Sequence, residues 1–324
     1  MDVDLTSHLL RVAQAAAIEA ARTTGYGERR HADHVATEAM RKAFDSVPMR
    51  GRVVIGEGER DDAPMLYIGE EVGTNAADAP EIDIAVDPLE GTNLCATGSP
   101  NASVVIATAE RGGLLHAPDV YLDKIAVGPG ARGSIDLNAS TAENLARIAE
   151  SLDREVTDLQ IVVLDRERHT ELIAEIRAAG ARIQLITDGD LAPALAAALR
   201  GTGIHAVMGA GGAPEGVLTA AALRCLGGEI QGRLMPAKPG DEDRIRAAGI
   251  DDLDRVYRTE DLAPGKNIVF TITGVTESNL LRGVRFFGDG CRTHSLVLTS
   301  RGPRMVRFVD EIHISDDYRG TLLL

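Results

Sequence analysis

The chain has 324 residues, of which 44 % are apolar and 26 % charged, and carries a formal net charge of −15 at pH 7. That length and composition suit one large layered body or two ordinary cores, while the acid excess argues against nucleic acid and anionic membrane surfaces as partners. No apolar stretch approaches the roughly 18 residues of a membrane span, and the opening MDVDLTSHLL has neither the basic start nor the apolar run of a signal peptide, so a cytoplasmic protein is expected.

Apolar spacing predicts two opening helices, about 5–23 and 31–45, the second carrying Val35, Ala39, Met40 and Phe44 on one side. A strand is expected at 52–59, a helical turn around APMLYIGEEV, and buried strands at 82–87 and 102–109. From about 140 the pattern alternates: helix 141–152, strand 159–165, helix 168–179, strand 181–187, helix 191–199, strand 204–209, helix 215–226. The segments NIVFTIT, THSLVLTS and MVRFVDEIHI make the tail strand-rich. Alternation of this kind implies sheets flanked by helices. The weakest seam, near 153–158, has no Pro/Gly/Ser run. The expectation is therefore an α/β protein, a layered αβαβα sandwich forming a single body over 1–324, with halves 1–155 and 156–324. Cys95, Cys225 and Cys291 form no CxxC pair and read as reduced thiols.

Four acidic pieces carry the chemistry. In DIAVDPLEGT at 83–92 a buried strand delivers Asp83 and then Asp87 to its C-terminal end, where Pro88 is expected to stop the ladder and Glu90, Gly91 and Thr92 to form a turn. Asp-Pro alone is a common turn starter. The full string offers two carboxylates, a carbonyl and a hydroxyl in one small volume, a donor set for hard cations such as Mg²⁺ or Mn²⁺. IGEGERDDAPM at 55–65 empties a short strand into Glu57, Glu59, Asp61 and Asp62. GERRHAD at 27–33 places Asp33 near a helix start, where an acid also suits the dipole. GAGGAPEG at 209–216 lies between strand and helix, with Pro214 fit for a first helical turn and Glu215 out of place in an anion cradle unless a metal bridges it to phosphate. Cations at such a cluster would invert the local field and reconcile the net charge with an anionic substrate.

In this order the pieces resemble the class II fructose-1,6-bisphosphatases over essentially the whole chain. The match is strongest in VVIGEGERDDAPMLYIGE, DIAVDPLEGTNLCA, APDVY, DRERH, DGD, GGAPEG and CLGGEIQGRL. NLCA and VRFFGDGCRTHSLVLTS are most similar to the bifunctional fructose-1,6-/sedoheptulose-1,7-bisphosphatases of carbon fixation. The resemblance implies the lithium-sensitive phosphatase sandwich and metal-dependent hydrolysis of the 1-phosphate by an activated water, in the Calvin cycle or gluconeogenesis. It also implies a homo-oligomer, tetramer or dimer. It makes Asp33, Glu57, Asp87, Glu90 and Glu215 the metal ligands, with Mg²⁺ or Mn²⁺ as cofactor. Thr92 would position the water, with Asp61 as its acidic partner. Glu90, Gly91, Thr92, Tyr121, Arg166, Glu167, Arg168, Asp188, Gly189, Asp190 and Gly212 would line the substrate site. Glu28-Arg29 stands where the family usually has Asp-Lys, and Arg166-Glu167-Arg168 where it often has Lys-Pro-Arg; Arg and Lys are not equivalent at phosphate.

Other readings are an inositol-phosphate or nucleotide 3′-phosphatase of the same superfamily, a catalytically silent metal-binding scaffold, and a dinucleotide-binding protein. The last would use the 209–216 glycine turn with Glu229 about 20 residues on, but it leaves DPLEGT unexplained.

Overall fold

The computed structural model describes residues 4–58, 65–288 and 290–314. In chain order the elements are α1 (Thr6–Arg22), α2 (Arg29–Phe44), β1 (Arg50–Ile55), β2 (Glu71–Val72), β3 (Glu81–Glu90), α3 (Thr92–Thr97), β4 (Ser103–Glu110) and β5 (Tyr121–Val127). Then come α4 (Thr141–Ser151), β6 (Gln160–Leu164), α5 (Thr170–Ala178), β7 (Arg182–Ile186), α6 (Leu191–Ala197), β8 (Ala206–Gly212), α7 (Ala213–Leu226) and β9 (Glu229–Met235). The chain closes with α8 (Asp241–Ala247), β10 (Tyr257–Arg258), α9 (Thr259–Leu262), β11 (Val269–Gly274), β12 (Arg285–Phe287), β13 (Gly290–Thr299) and β14 (Met305–Ile314).

Two mixed sheets organise these elements. The larger runs β12-β13-β11-β4-β3-β1-β2, with β14 on the edge of β13; the smaller runs β10-β9-β5-β8-β6-β7. Alternating side chains sort each strand between two cores, as the period of two requires. In β4, Val104 and Ile106 pack toward α1 and α2, while Val105, Ala107 and Ala109 face the middle of the molecule. In β5, Leu122 and Ala126 face that same middle core, and Ile125 and Val127 face α4 and α5. Helices α6 and α7 lie in the middle; α7 packs with both sheets, and α6 packs with α7 and the smaller sheet. The layers are therefore helix, sheet, helix, sheet, helix, as the sequence predicts. The middle core takes residues from Val54 to Leu298.

Several local expectations fail for physical reasons. No helix occurs at 65–72 among the described residues; Glu71 and Val72 pair antiparallel with Arg52 and Gly51 instead. The strand predicted at 52–59 ends at Ile55, and the chain bends through Gly56–Gly58, with Gly58 at φ +133°. The glycines of 209–212 are strand residues of β8, and α7 starts directly at Ala213 with its proline in the first turn. Both β5 and β9 escape prediction, because charged residues and glycine interrupt their apolar alternation. No helix among the described residues is long and apolar enough to cross a membrane.

Candidate active site

The site starts with an irregularity in β3. Asp83 and Asp87 share a strand face but lie about 13 Å apart at 3.3 Å per residue. Asp83 belongs to the far end, where it pairs with Arg111 at 3.3 Å and accepts the Gly112 N–H at 2.6 Å; it is not part of the acidic cluster. Pro88 does not end the strand. The β3–β4 register runs Asp87↔Val105 and then Glu90↔Ser103, so three steps on β3 match two on β4. The extra residue is a bulge, and Pro88, with no N–H for the ladder, sits within it. The bulge exchanges the faces: Ala85 packs in the middle core, yet Leu89, four residues on, packs with Ile84 and Val86 against the α1/α2 side. Glu90 is thereby brought to the side of Asp87. Gly91, at φ +80°, then turns the chain into α3.

Glu215 reaches the same point from the first turn of α7. Carboxylate oxygens of Asp87, Glu90 and Glu215 lie within 4.8 Å of one another. Gly212 makes this possible, since a β-carbon there would overlap the Glu215 carboxylate. Glu57, beyond the end of β1, hydrogen-bonds Asp33 of α2 and feels the charge of Asp87. Asp33 lies past the first turn of its helix, so the dipole does not account for it. Every acid in the group is pushed up, first by burial. Burial, then Asp33 and Asp87, raise Glu57 to about 8. Burial, then Asp87 and Asp190, raise Glu215 to about 7. Glu90 is held well above the usual carboxylate range by burial and then Asp87, and Asp33 and Asp87 are raised chiefly by burial. Carboxylates packed this closely need protons or cations, and an all-oxygen donor set fits a hard divalent cation.

Two adjoining cavities open on the cluster and share Glu215. One, of about 230 Å³, is lined by Glu57, Gly58, Asp87, Asp119, Pro214 and Glu215, among others. The second, of about 200 Å³, is lined by Glu90, Tyr121, Arg166, Arg168, Asp188, Gly189, Asp190, Gly212 and Glu215, together with Leu164 and Gly211. The C-terminal ends of β6, β7 and β8 meet there, the end of an α/β sheet that binds ligands. Arg168 donates to the Ala210 carbonyl through Nε (3.2 Å) and Nη2 (2.7 Å), and its guanidinium lies 4.4 Å over the Tyr121 ring. Among the described residues, Arg166 donates only to its neighbour's carbonyl, Asp165 O, at 3.1 Å. Asp188 accepts from Asn93 Nδ2 at 3.2 Å.

Most of the predicted residues thus converge. Thr92, at the start of α3, donates its hydroxyl to the Leu89 carbonyl at 3.1 Å; it and Gly91 adjoin Glu90 but line neither cavity. Glu167 is exposed and outside both linings. Asp61, with Glu59 and Asp62, lies outside the described residues. Two functional candidates were not singled out from sequence: Asp119, in the first cavity wall, and Lys124, buried behind Asp190. Lys124 gives no sequence signal beyond a charge inside an apolar strand. Glycine explains itself differently than a phosphate cradle would. A β-carbon at Gly209 would crowd His169, and one at Gly211 would overlap Asp190 and Lys124. Glu215 fills the space at the α7 N-terminus, and Glu229 accepts from Gly133 N and Gln231 Nε2. The dinucleotide reading is overturned by these contacts.

Comparison with known proteins agrees with this chemistry. The chain is 52 % identical over 338 residues to a D-fructose 1,6-bisphosphatase class 2/sedoheptulose 1,7-bisphosphatase of Synechococcus sp. (strain JA-3-3Ab), covering 98 % of this chain and 97 % of that one. It is 48 % identical over 347 residues to the protein of the same name from Thermosynechococcus vestitus, covering 100 % of both. Among solved structures, extragenic suppressor protein SuhB from Bartonella henselae is similar at 16 % identity and a TM-score of 0.34, over 61 % of this chain and 74 % of that one, too distant to bear on the fold. The model of the bacterial, glpX-encoded fructose-1,6-bisphosphatases matches residues 3–313, and the chain belongs to that family.

Proposed function

We propose that this chain hydrolyses the 1-phosphate of fructose 1,6-bisphosphate and of sedoheptulose 1,7-bisphosphate, using Mg²⁺ or Mn²⁺. The observation that carries this reading is the convergence of Asp87, Glu90 and Glu215 within 4.8 Å, beside a cavity walled by Arg166 and Arg168. In this reading Asp33, Glu57, Asp87, Glu90 and Glu215 hold the cations. When bound, divalent cations neutralise the reacting phosphate and lower the pKa of water. Thr92 orients the attacking water from the α3 N-terminus, with Asp61 as the proton acceptor. Arg166 and Arg168 take the phosphate that does not react, and Tyr121, Asp188, Asp190 and the backbone of Gly91, Gly189 and Gly212 fit around the sugar. Glu167 adjoins this wall without lining it.

Dual specificity follows from the unequal tethering of the two arginines. Arg168 is fixed by Ala210 and Tyr121, whereas Arg166, among the described residues, is held only by a neighbouring carbonyl. Arg166 is therefore the one free to follow a distal phosphate displaced by one carbon unit. We further propose a single body, its metal ligands mainly from 1–155 and its sugar and distal-phosphate contacts mainly from 156–324. A dimer or tetramer of this body is supported by exposed Val306, Phe308 and Ile314 on the edge strand β14. The deciding experiment is phosphate release from a panel of sugar phosphates and inositol phosphates with Mg²⁺, with Mn²⁺ and after chelation. The two bisphosphates should turn over within about 10³-fold of each other in kcat/KM, roughly 4 kcal/mol, and chelation should abolish both activities. Turnover that survives exhaustive chelation, or preference for inositol phosphates, would sink the reading.

A further inference from the structure

Lys124 lies on the inner face of β5 between Leu122 and Ala126, two positions of the middle core. Its side chain is 0 % exposed, and its Nζ donates to Asp190 Oδ2 at 2.6 Å. Asp190 precedes α6, yet its side chain makes no capping hydrogen bond to that helix. It is not serving the common role of an aspartate at a helix start. Asp190 instead lines the cavity that holds Tyr121, Arg166 and Arg168, with its Oδ1 making no hydrogen bond to protein among the described residues. Gly211 of the neighbouring strand β8 leaves room for the pair, because a β-carbon there would overlap both Asp190 Oδ2 and Lys124 Nζ.

A buried ion pair is weak support for a fold. Removing two charges from water costs about what their attraction returns, and apolar residues of similar volume often serve stability as well or better. The pair sits at an apolar position of a core strand and touches the substrate wall at one end only, which points to function. On the reading of this cavity given above, we propose that Lys124 is a positioning residue for sugar recognition: it holds one oxygen of Asp190 so that the other faces the cavity as a fixed acceptor for a sugar hydroxyl. The lysine touches no substrate. It fixes the orientation of a carboxylate that lines the cavity beside Glu90 and Glu215. An acceptor fixed in this way binds without losing side-chain freedom when the sugar arrives.

The test is steady-state kinetics on fructose 1,6-bisphosphate with Mg²⁺ for Lys124→Met, Asp190→Asn and the double variant. Lys124→Met should raise KM about 10- to 100-fold, the factor carried by a hydrogen bond to a charged group, with a smaller change in kcat. The double variant should be no worse than the worse single one, since both changes remove the same acceptor. A wild-type KM for Lys124→Met beside a raised KM for Asp190→Asn overturns the role of the lysine, as does additivity of the two losses. A wild-type KM for Asp190→Asn overturns both the sugar contact and the positioning built on it, and so marks failure of the underlying reading. Lys124→Met/Asp190→Leu guards against misfolding: it removes both charges and should keep a wild-type Tm while KM stays raised. A wild-type KM in that variant overturns the proposal.

Discussion

Gly212 and Glu215 show how one residue's shape dictates another's chemistry. The Glu215 carboxylate occupies the space that a side chain at 212 would need, so Gly212→Ala should push it out of reach of Asp87 and Glu90. We expect metal affinity to fall at least about tenfold, or about 1.4 kcal/mol, with little change in far-UV circular dichroism. Unchanged affinity by titration calorimetry would show that Glu215 is not a ligand. Thr92 is a second single-residue case. Its hydroxyl is satisfied by the Leu89 carbonyl, which fixes its lone pairs rather than tying the helix to substrate. Thr92→Ala should therefore lower kcat much more than it raises KM; a raised KM at wild-type kcat would make it a binding residue. The cysteines show the opposite case, a residue whose chemistry is suppressed. Burial in α7 pushes the Cys225 thiol up to about 12, which leaves it inert.

At the scale of elements, the β3 bulge does the most. A regular strand would send positions 87 and 90 to opposite faces, and the single extra residue places both carboxylates on one side. Two changes at the bulge separate the proline's chemistry from the residue count. Pro88→Ala keeps the number of residues in the bulge and should retain activity within about tenfold, about 1.4 kcal/mol. Deleting both Pro88 and Leu89 makes Glu90 follow Asp87 directly, which in an alternating strand turns it toward α1 and α2, and should abolish both activity and metal binding. Equal outcomes for the two would show that the bulge does not place Glu90. This geometry explains what the sequence discloses and what it hides. DPLEGT announces a cluster because Asp87, Glu90 and Thr92 are close in the chain, but their facing depends on pairing with β4, which no local pattern encodes. The helices and the strands around 82–87, 102–109 and 159–209 are legible because their apolar spacing is regular. Strand β5 is not, because YLDKIAV carries Asp123 and Lys124 in its centre; the lysine is tolerated only through Asp190, 66 residues away in sequence. Similarly, the GAGG glycines look like a phosphate loop, and only the packed side chains of His169, Asp190, Lys124 and Glu215 disclose why they are small.

For the whole molecule, the acidic cluster links folding, pH and metal. The carboxyl of Glu57 moves from its ordinary 4.5 to about 8 in the fold, and that of Glu215 from 4.5 to about 7. A group whose folded pKa is raised binds its proton more tightly in the native state. Its contribution to stability is fully present below pH 4.5 and is lost as pH rises through the folded value. Asp33, Asp87 and Glu90 shift in the same direction, so the metal-free chain should lose stability between about pH 4.5 and 8. Cations reverse this, because they replace the departing protons and bind the native cluster in preference to the unfolded chain. Scanning calorimetry in chelator should show Tm falling across that window, apart from the acid unfolding of the remaining carboxylates at its lower end. Saturating Mg²⁺ or Mn²⁺ should raise Tm more at pH 8 than at pH 6, and binding at pH 6 should release protons to the buffer. A metal-induced rise in Tm that is the same at both pH values, with no proton release, would mean that the cation binds somewhere other than these five carboxylates.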